Sequence, residues 1–123
     1  MFDHIGLRVK DVEASARLYA AMLAPLGYVP GARDKTYAGF GPEDAPALWL
    51  QLDSSKNAGA HVALRAADRA AVDRFHAAGL KAGAKDNGAP GYRKDYWPGY
   101  YAAFVYDADG HNIEAVFYDY DEK

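Results

Sequence analysis

Four polar side chains that suit metal coordination occupy matching places in the two halves of this 123-residue chain. They are His4, Gln51, His61 and Glu114. Two imidazoles and a carboxylate make up the facial triad that divalent iron favours and that other divalent metals accept. The amide of Gln51 offers one more oxygen. Such a set leaves coordination positions open for water or substrate, which metal-assisted chemistry requires.

An internal repeat in the sequence places these side chains at equivalent positions of two similar halves. A shift of 57 positions (61 − 4) places His4 on His61 and also aligns the helices that follow. Past the helices the register changes, and Gln51 then matches Glu114. Each half is predicted to contain a strand, a helix and three strands, and such repetition is typical of folds built from duplicated units. We predict one α+β domain over residues 1–123, with module one about 1–58 and module two about 59–123.

Strand parity predicts that the four polar side chains share one face. Successive side chains of a strand point to opposite faces. His4 alternates with Ile5 and Leu7, and the other three also lie between aliphatic neighbours. A lone histidine on a strand is more often a packed or surface side chain than a ligand. Two at equivalent positions, joined by a carboxylate of the same parity, favour a metal site on a concave face opposite the helices.

Helix caps and apolar spacing predict the other elements. Asp11 and Asp68 are typical N-cap residues, and the periodicity after them predicts helices over 12–26 and 69–79. His76 and His111 match no ligand pattern and are interpreted as structural or solvated. Strands are predicted at 2–9, 28–29, 36–40, 47–53, 61–65, 81–85, 101–106 and 112–118, with a long loop at 86–99.

That loop combines aromatic rings with cations and allows two interpretations. It could be a lid, with its rings against a planar or apolar substrate and Arg93 holding a carboxylate or phosphate. It could equally be a tyrosine-rich interface between two copies of the chain. The candidate substrate contacts are Trp49, Arg93, Tyr96 and Tyr101. Parity alone does not decide which face Tyr101 occupies.

The duplicated plan, the two histidine strands and the run Asp-x-Asp-Gly-x-x-Ile-Glu at 107–114 resemble the vicinal oxygen chelate superfamily. This superfamily includes glyoxalase I, bleomycin-resistance proteins, fosfomycin-resistance enzymes and extradiol dioxygenases. The resemblance covers essentially the whole chain. It implies paired modules that form an open, curved sheet around a divalent metal, often completed by dimerisation. His4, His61 and Glu114 match the metal positions, and Gln51 falls where glyoxalase I enzymes carry a ligand, commonly glutamate.

Gln51 is the departure from that pattern. A neutral amide is a poor base, so Glu114 is left as the candidate catalytic carboxylate. We expect a small glyoxalase- or dioxygenase-like enzyme that uses Fe, Zn, Ni, Mn or Co to chelate vicinal oxygens of a small substrate. We also expect a homodimer, with the ligands meeting either within one chain or across the dimer. The alternative is a metal-free binding protein similar to bleomycin-resistance proteins.

Composition excludes several other classes. The net charge is −3, without a basic stripe, so nucleic-acid and membrane-surface binding lose their usual electrostatic basis. The chain has no cysteine, which excludes disulfides and thiolate metal sites. The first residues lack the pattern of a signal peptide, and no long apolar run could span a membrane. We expect a cytoplasmic protein.

Overall fold

Two four-stranded sheets and two helices make up the part of the chain that the computed structural model describes, residues 2–55 and 59–121. A 3-10 turn, Ala24–Leu26, follows the first helix. The other elements in chain order are β1 (Ile5–Val9), α1 (Val12–Leu23), β2 (Val29–Arg33), β3 (Tyr37–Gly41), β4 (Leu48–Leu52), β5 (His61–Arg65), α2 (Arg69–Lys81), β6 (Lys85–Tyr92), β7 (Tyr100–Tyr106) and β8 (Asn112–Tyr118).

The two sheets have the same topology. Sheet one has the strand order β1-β4-β3-β2, and sheet two has the order β5-β8-β7-β6. In each sheet the first and last strands of the repeat pair in parallel, and the remaining pairs are antiparallel. This confirms the predicted α+β fold of two βαβββ units, in which the sheets do not close into a barrel.

Both helices begin at the predicted caps. Asp11 Oδ1 accepts from the Ala14 amide at 3.0 Å, and Asp68 Oδ1 accepts from the Ala71 amide at 2.7 Å. The predicted helix over 12–26 changes to a 3-10 turn after Leu23, because Pro25 cannot donate a backbone hydrogen bond. The helix α2 continues to Lys81, past its predicted end. In the described ranges, neither helix is long and apolar enough to cross a membrane.

The predicted loop over 86–99 is largely wrong, since β6 occupies Lys85–Tyr92 and only a short connection precedes β7. The predicted strand at 81–85 is wrong as well, because Lys81 still belongs to α2. The pairing of β6 with β7 shifts register between Asp86 and Gly88, and again before Gly91. These irregularities remove the alternation by which a strand is recognised in a sequence.

One hydrophobic core joins the two modules. The helices α1 and α2 pack against each other and against the aliphatic faces of both sheets. The aliphatic neighbours of the four polar residues are buried as parity predicts; examples are Leu7, Leu50, Val62 and Ile113. The opposite faces of β1 and β5 are exposed. The fold thereby presents the predicted ligands on faces away from the core.

The turn before β8 ties module two to module one. His111 is 3% exposed, and its Nε2 donates to the Arg8 carbonyl at 2.7 Å while its Nδ1 accepts from the Ala60 amide at 2.9 Å. Beside it, the Tyr19 hydroxyl donates to Asp107 at 2.6 Å. Burial and this carboxylate raise the pKa of Tyr19 well above its ordinary value. His111 therefore has a structural role, as interpreted from the sequence.

Candidate functional site

His61 and Glu114 meet on the face of sheet two that points away from the helices, where Ala102, Phe104 and Val116 form a second, small buried cluster. The strands β5 and β8 run parallel with Ala63 opposite Glu114, so the side chain of His61 reaches Glu114 from two residues away. His61 Nε2 lies 3.1 Å from Glu114 Oε1. The imidazole is half exposed, whereas Glu114 is 2% exposed. A buried carboxylate requires partners for its charge, and His61 is one of them.

One ring nitrogen of His61 is held by the backbone, and the other faces that carboxylate. Its Nδ1 lies 3.0 Å from the carbonyl oxygen of Asn112. Because a carbonyl oxygen only accepts hydrogen bonds, Nδ1 carries a proton, and Nε2 is the ring nitrogen that faces Glu114. Nε2 can meet the carboxylate in two ways, as an N–H donor or as a lone pair beside a cation that both groups bind. Histidines that bind metals are commonly held in this way through the other ring nitrogen.

Tyr100 completes the surroundings of Glu114. Its hydroxyl donates a short hydrogen bond to Glu114 Oε2. Burial and the Glu114 carboxylate raise the pKa of Tyr100 far above its ordinary value, which keeps the phenol protonated as a donor. The sequence analysis missed this residue. The alternation of β7 could have indicated it, because Tyr100, Ala102 and Phe104 share one face and Phe104 lies opposite Glu114.

Tyr101 lies on the opposite face of sheet two. Its hydroxyl donates to Asp73 of α2 at 2.6 Å, and its ring packs against the core. Burial and Asp73 raise the pKa of Tyr101 to about 12. The Tyr101 side chain therefore points away from Glu114, because neighbours on a strand point to opposite faces, and its role as a substrate contact stays a prediction.

Gln51 belongs to β4 of sheet one, whereas His4 lies immediately before β1, which is shorter than the predicted strand over 2–9. The Nδ1 of His4 lies 2.6 Å from Asp3 Oδ1, so this histidine also keeps its Nε2 available. The amide of Gln51 lies across Gly6, where a Cβ would come within 2.7 Å of Gln51 Oε1. Trp49 is half buried on the same face, edge-on to Tyr37 at a centroid distance of 5.9 Å. Glycine at position 6 thus leaves room for the amide beside β1.

The four candidate ligands do not form one cluster among the described residues. His61 and Glu114 are in contact, whereas Gln51 lies opposite Arg8 in sheet one and His4 precedes the first residue of β1. Among residues 2–55 and 59–121, no group of three histidine or carboxylate side chains is arranged to hold a metal ion. Within one chain, the described structure therefore assembles half of the predicted site.

Arg93 and Tyr96 contact two aromatic rings that lie on the same face as Glu114. The guanidinium of Arg93 lies 5.4 Å from the centroid of the Phe104 ring, and Phe104 stacks on His61 at 6.3 Å. Tyr96 is exposed and meets Tyr100 edge-on at 5.3 Å. The sheet-two face thus combines a carboxylate, an imidazole, aromatic rings and a cation, which suits binding of a small polar molecule.

A line of tyrosines extends this face. Tyr100 meets Tyr118 edge-on at 5.3 Å, and Tyr118 stacks on Tyr120 at 6.2 Å. Arg65 of β5 lies over Tyr118, with its guanidinium carbon 4.9 Å from the ring centroid. Arg65 was not among the predicted site residues. Its parity with His61 on β5 was the signal that could have identified it.

Solved structures share this fold. A glyoxalase/bleomycin resistance protein from Albidiferax ferrireducens T118 has a TM-score of 0.81 at 28% identity, over 95% of this chain and 98% of that one. An enzyme of the glyoxalase/bleomycin resistance protein/dioxygenase family from Burkholderia phytofirmans PsJN has a TM-score of 0.74 at 13% identity, over 95% and 98%. A glyoxalase-related enzyme from Fulvimarina pelagi has a TM-score of 0.72 at 21% identity, over 92% and 84%. The last two likenesses show the fold alone.

The family is shown by sequence. None of the curated proteins compared with the chain matches it. A family model described as the glyoxalase/bleomycin resistance protein/dioxygenase superfamily matches residues 1–115. This match covers most of the chain, including both histidine strands and Glu114, and it confirms the resemblance seen in the sequence. The chain therefore belongs to the glyoxalase/bleomycin resistance protein/dioxygenase superfamily.

Proposed function

We propose that this protein is a small divalent-metal-dependent enzyme of the glyoxalase or dioxygenase type, acting on a small molecule with two adjacent oxygens. The observation that carries the proposal is the His61–Glu114 pair, in which His61 Nε2 and Glu114 Oε1 lie 3.1 Å apart. Two ligands at right angles, each about 2.1 Å from one metal ion, are about 3 Å apart. The pair therefore fits two neighbouring coordination positions.

The proposed ligands are His61, Glu114 and His4, with Gln51 as a possible fourth. Both histidines use Nδ1 in a hydrogen bond and keep Nε2 available. A set of nitrogen and oxygen donors without thiolates accepts Fe, Zn, Ni, Mn or Co. The identity of the metal is left to experiment.

We propose that His4 and Gln51 reach the site from a second copy of the chain. The described residues of one chain bring only His61 and Glu114 together. Proteins of this superfamily typically form dimers. In such a homodimer, module one (about 1–58) of one copy would face module two (about 59–123) of the other. The expected cytoplasmic location stays a prediction.

When bound, the metal would hold two adjacent substrate oxygens and stabilise an enolate-like or oxyanionic state. Glu114 is the carboxylate of the set, so it is the proposed catalytic group that accepts a proton from the substrate. The Gln51 side chain is an uncharged amide, so it would orient a ligand or substrate through hydrogen bonds and would not accept a proton. Trp49, Arg93 and Tyr96 are the proposed substrate contacts.

Metal analysis tests this proposal. After loading with each candidate metal and dialysis, we expect about one equivalent per chain, because folded metal sites retain their ion. His4→Ala and Glu114→Gln should each lower this content, whereas Glu13→Gln on the exposed face of α1 should not. Less than about a tenth of an equivalent in the wild-type protein, for every metal, would refute the metal site.

Mixing the two deficient variants tests the dimer. A heterodimer of His4→Ala and Glu114→Gln chains contains one site with both native ligands if the site forms across the dimer. Metal content should then recover in an equilibrated equal mixture to about a quarter of the wild-type value, because about half of the dimers are heterodimers and one of their two sites is native. No recovery, despite exchange of subunits seen by mass spectrometry, would place the ligands within one chain.

The second candidate is a metal-free protein that sequesters an aromatic compound. The row of rings formed by Tyr96, Tyr100, Tyr118 and Tyr120 favours it. Thermal-shift measurements with aromatic drugs, with and without a chelator, distinguish the two. Stabilisation that is unchanged by the chelator would support sequestration, and stabilisation that requires the metal would support the enzyme.

A further inference from the structure

The junction between the two modules is closed at one of its ends. Near the end of β1, His111 donates to the Arg8 carbonyl and accepts from the Ala60 amide, so it bridges β1 and the residue before β5. Beside it, Asp107 accepts from the Tyr19 hydroxyl. These three side chains are buried. The turn before β8, which supplies His111 and Asp107, therefore fills the junction at this end.

The other end of the junction, near the start of β1, is open. The turn before β4 is the counterpart in module one of the turn before β8. It carries Pro42 and Pro46, whose side chains form no hydrogen bonds, and its Glu43 and Asp44 are exposed. A pocket of about 290 Å³ lies beside this turn. Its apolar walls come from both modules and include Ile5, Leu23, Phe40, Leu48 and Leu64.

This junction pocket has the depth and the lining of a small-molecule site. Its floor belongs to the core, since Leu23, Phe40 and Leu48 are buried. Two polar residues of the lining, Asp3 and His4, are largely exposed and pair with each other at 2.6 Å. Apolar walls offer water few hydrogen-bond partners, so an apolar molecule can replace it. Because a cavity of about 150 Å³ is enough to bind benzene, the junction pocket has room for a ring with a substituent.

Phe2 is an independent indication that a bound molecule covers this opening. Its side chain lines the pocket and is 77% exposed, although it is large and apolar. A ring at the mouth of an apolar pocket loses contact with water when a second ring binds against it. Of the four candidate metal ligands, His4 lines the pocket, whereas Gln51, His61 and Glu114 do not. The junction pocket is therefore separate from the contact between His61 and Glu114.

We propose that the junction pocket binds an uncharged molecule with a single apolar ring, and that Phe2 packs against this ring. No lysine or arginine among the described residues lines the pocket, and Asp3 adds a negative charge to it. A carboxylate group would therefore lose its hydration without gaining a partner, which excludes acidic molecules. The proposal goes beyond the proposed function, because this site requires neither a metal nor Glu114.

Toluene and benzoate are probes for this class, since they share a ring and differ in charge. Amide spectra of the full chain, recorded with a chelator, follow the titration. We expect toluene to shift the signals of Ile5, Leu48 and Leu64 with a Kd on the order of 1 mM or below. Benzoate should bind at least about tenfold more weakly. Absence of these shifts, or equal binding of the two probes, would overturn the proposal. Toluene binding that weakens as the protein concentration rises would show that a second copy fills the pocket, and would also overturn it.

Variants with matched controls locate the bound ring. Leu64→Trp should weaken toluene binding by about tenfold or more, because the indole and the toluene ring cannot occupy the same space. Leu80→Trp makes the same change at an exposed position of α2 outside the pocket and should have no effect. Phe2→Ala should weaken binding about three- to tenfold, whereas Tyr120→Ala, at an equally exposed ring, should not.

The Phe2 variant decides the matter if Leu64→Trp does not fold, because the exposed Phe2 contributes little to the core. Toluene affinity that is unchanged by Phe2→Ala, or that falls equally in Tyr120→Ala, would refute the assigned site. Metal content is measured on the same samples before the chelator is added. A protein that retains metal but does not bind toluene would refute the junction site and leave the proposed enzyme standing.

Discussion

Replacing Tyr100 by phenylalanine tests whether its hydroxyl supports coordination by Glu114. The change keeps the ring that meets Tyr96 and Tyr118 and removes only the donor to Glu114 Oε2. A hydrogen bond to a charged group contributes about 1.5–3 kcal/mol. Glu114 is 2% exposed, so water replaces the lost donor poorly. Since about 1.4 kcal/mol is a tenfold change, metal affinity should fall about ten- to a hundredfold.

Tyr101→Phe is the matched control. The Tyr101 hydroxyl also donates to a carboxylate, that of Asp73 in α2. Tyr101 follows Tyr100 on β7, so its side chain points to the opposite face of the sheet. We expect its metal affinity to stay within about twofold of the wild type, because remote sites act independently. Both affinities are measured by calorimetric titration of the chelator-treated protein. Equal affinities for the two variants would refute the role of Tyr100.

The pH dependence gives a second measurement for the same pair. The raised pKa of Tyr100 means that the fold favours the neutral phenol. The neutral Tyr100 phenol therefore stabilises the fold completely below about pH 10, the ordinary pKa of tyrosine. This stabilisation is lost as the pH rises from there through the raised pKa of the folded state. Tyr100→Phe should remove one late-titrating phenol from the alkaline absorbance titration, and Glu114→Gln should make the Tyr100 phenol titrate earlier. An unchanged late phase in both variants would show that the hydroxyl does not bind Glu114 in solution.

Two further predictions concern the other module and the junction. Gly6→Ala should displace the Gln51 amide, since the added Cβ would lie 2.7 Å from its Oε1. Metal affinity should then fall with little loss of stability. If Gly6→Ala lowers the affinity by a similar factor in a Gln51→Ala background, Gln51 is not involved. His111→Ala should lower the free energy of unfolding by about 2–4 kcal/mol, because the Ala60 amide and the Arg8 carbonyl lose their partner; urea unfolding measures this, with exposed His4→Ala as the control, and equal midpoints would contradict it.

Local chemistry was enough to predict the contact face of His61 and Glu114 and the starts of both helices from the sequence. The period of two in a strand puts His61 and Glu114 on the face opposite their aliphatic neighbours, and the helix caps follow from Asp11 and Asp68. The 57-residue shift from His4 to His61 likewise indicated the duplicated fold. These features depend on neighbours along the chain, so they can be read without the fold.

Contacts between distant segments were decided only by the tertiary structure. Alternation could not say whether Tyr100 or Tyr101 faces Glu114, because both are tyrosines and the pairing of β7 with β8 makes the choice. The strand β6 was hidden by its glycines, proline and register shifts, since partner strands rather than local pattern hold it in the sheet. The stacking of Arg65 on Tyr118 joins residues from two strands. Gln51 likewise lies apart from the contact between His61 and Glu114 because each half of the chain forms its own sheet, which no local spacing encodes.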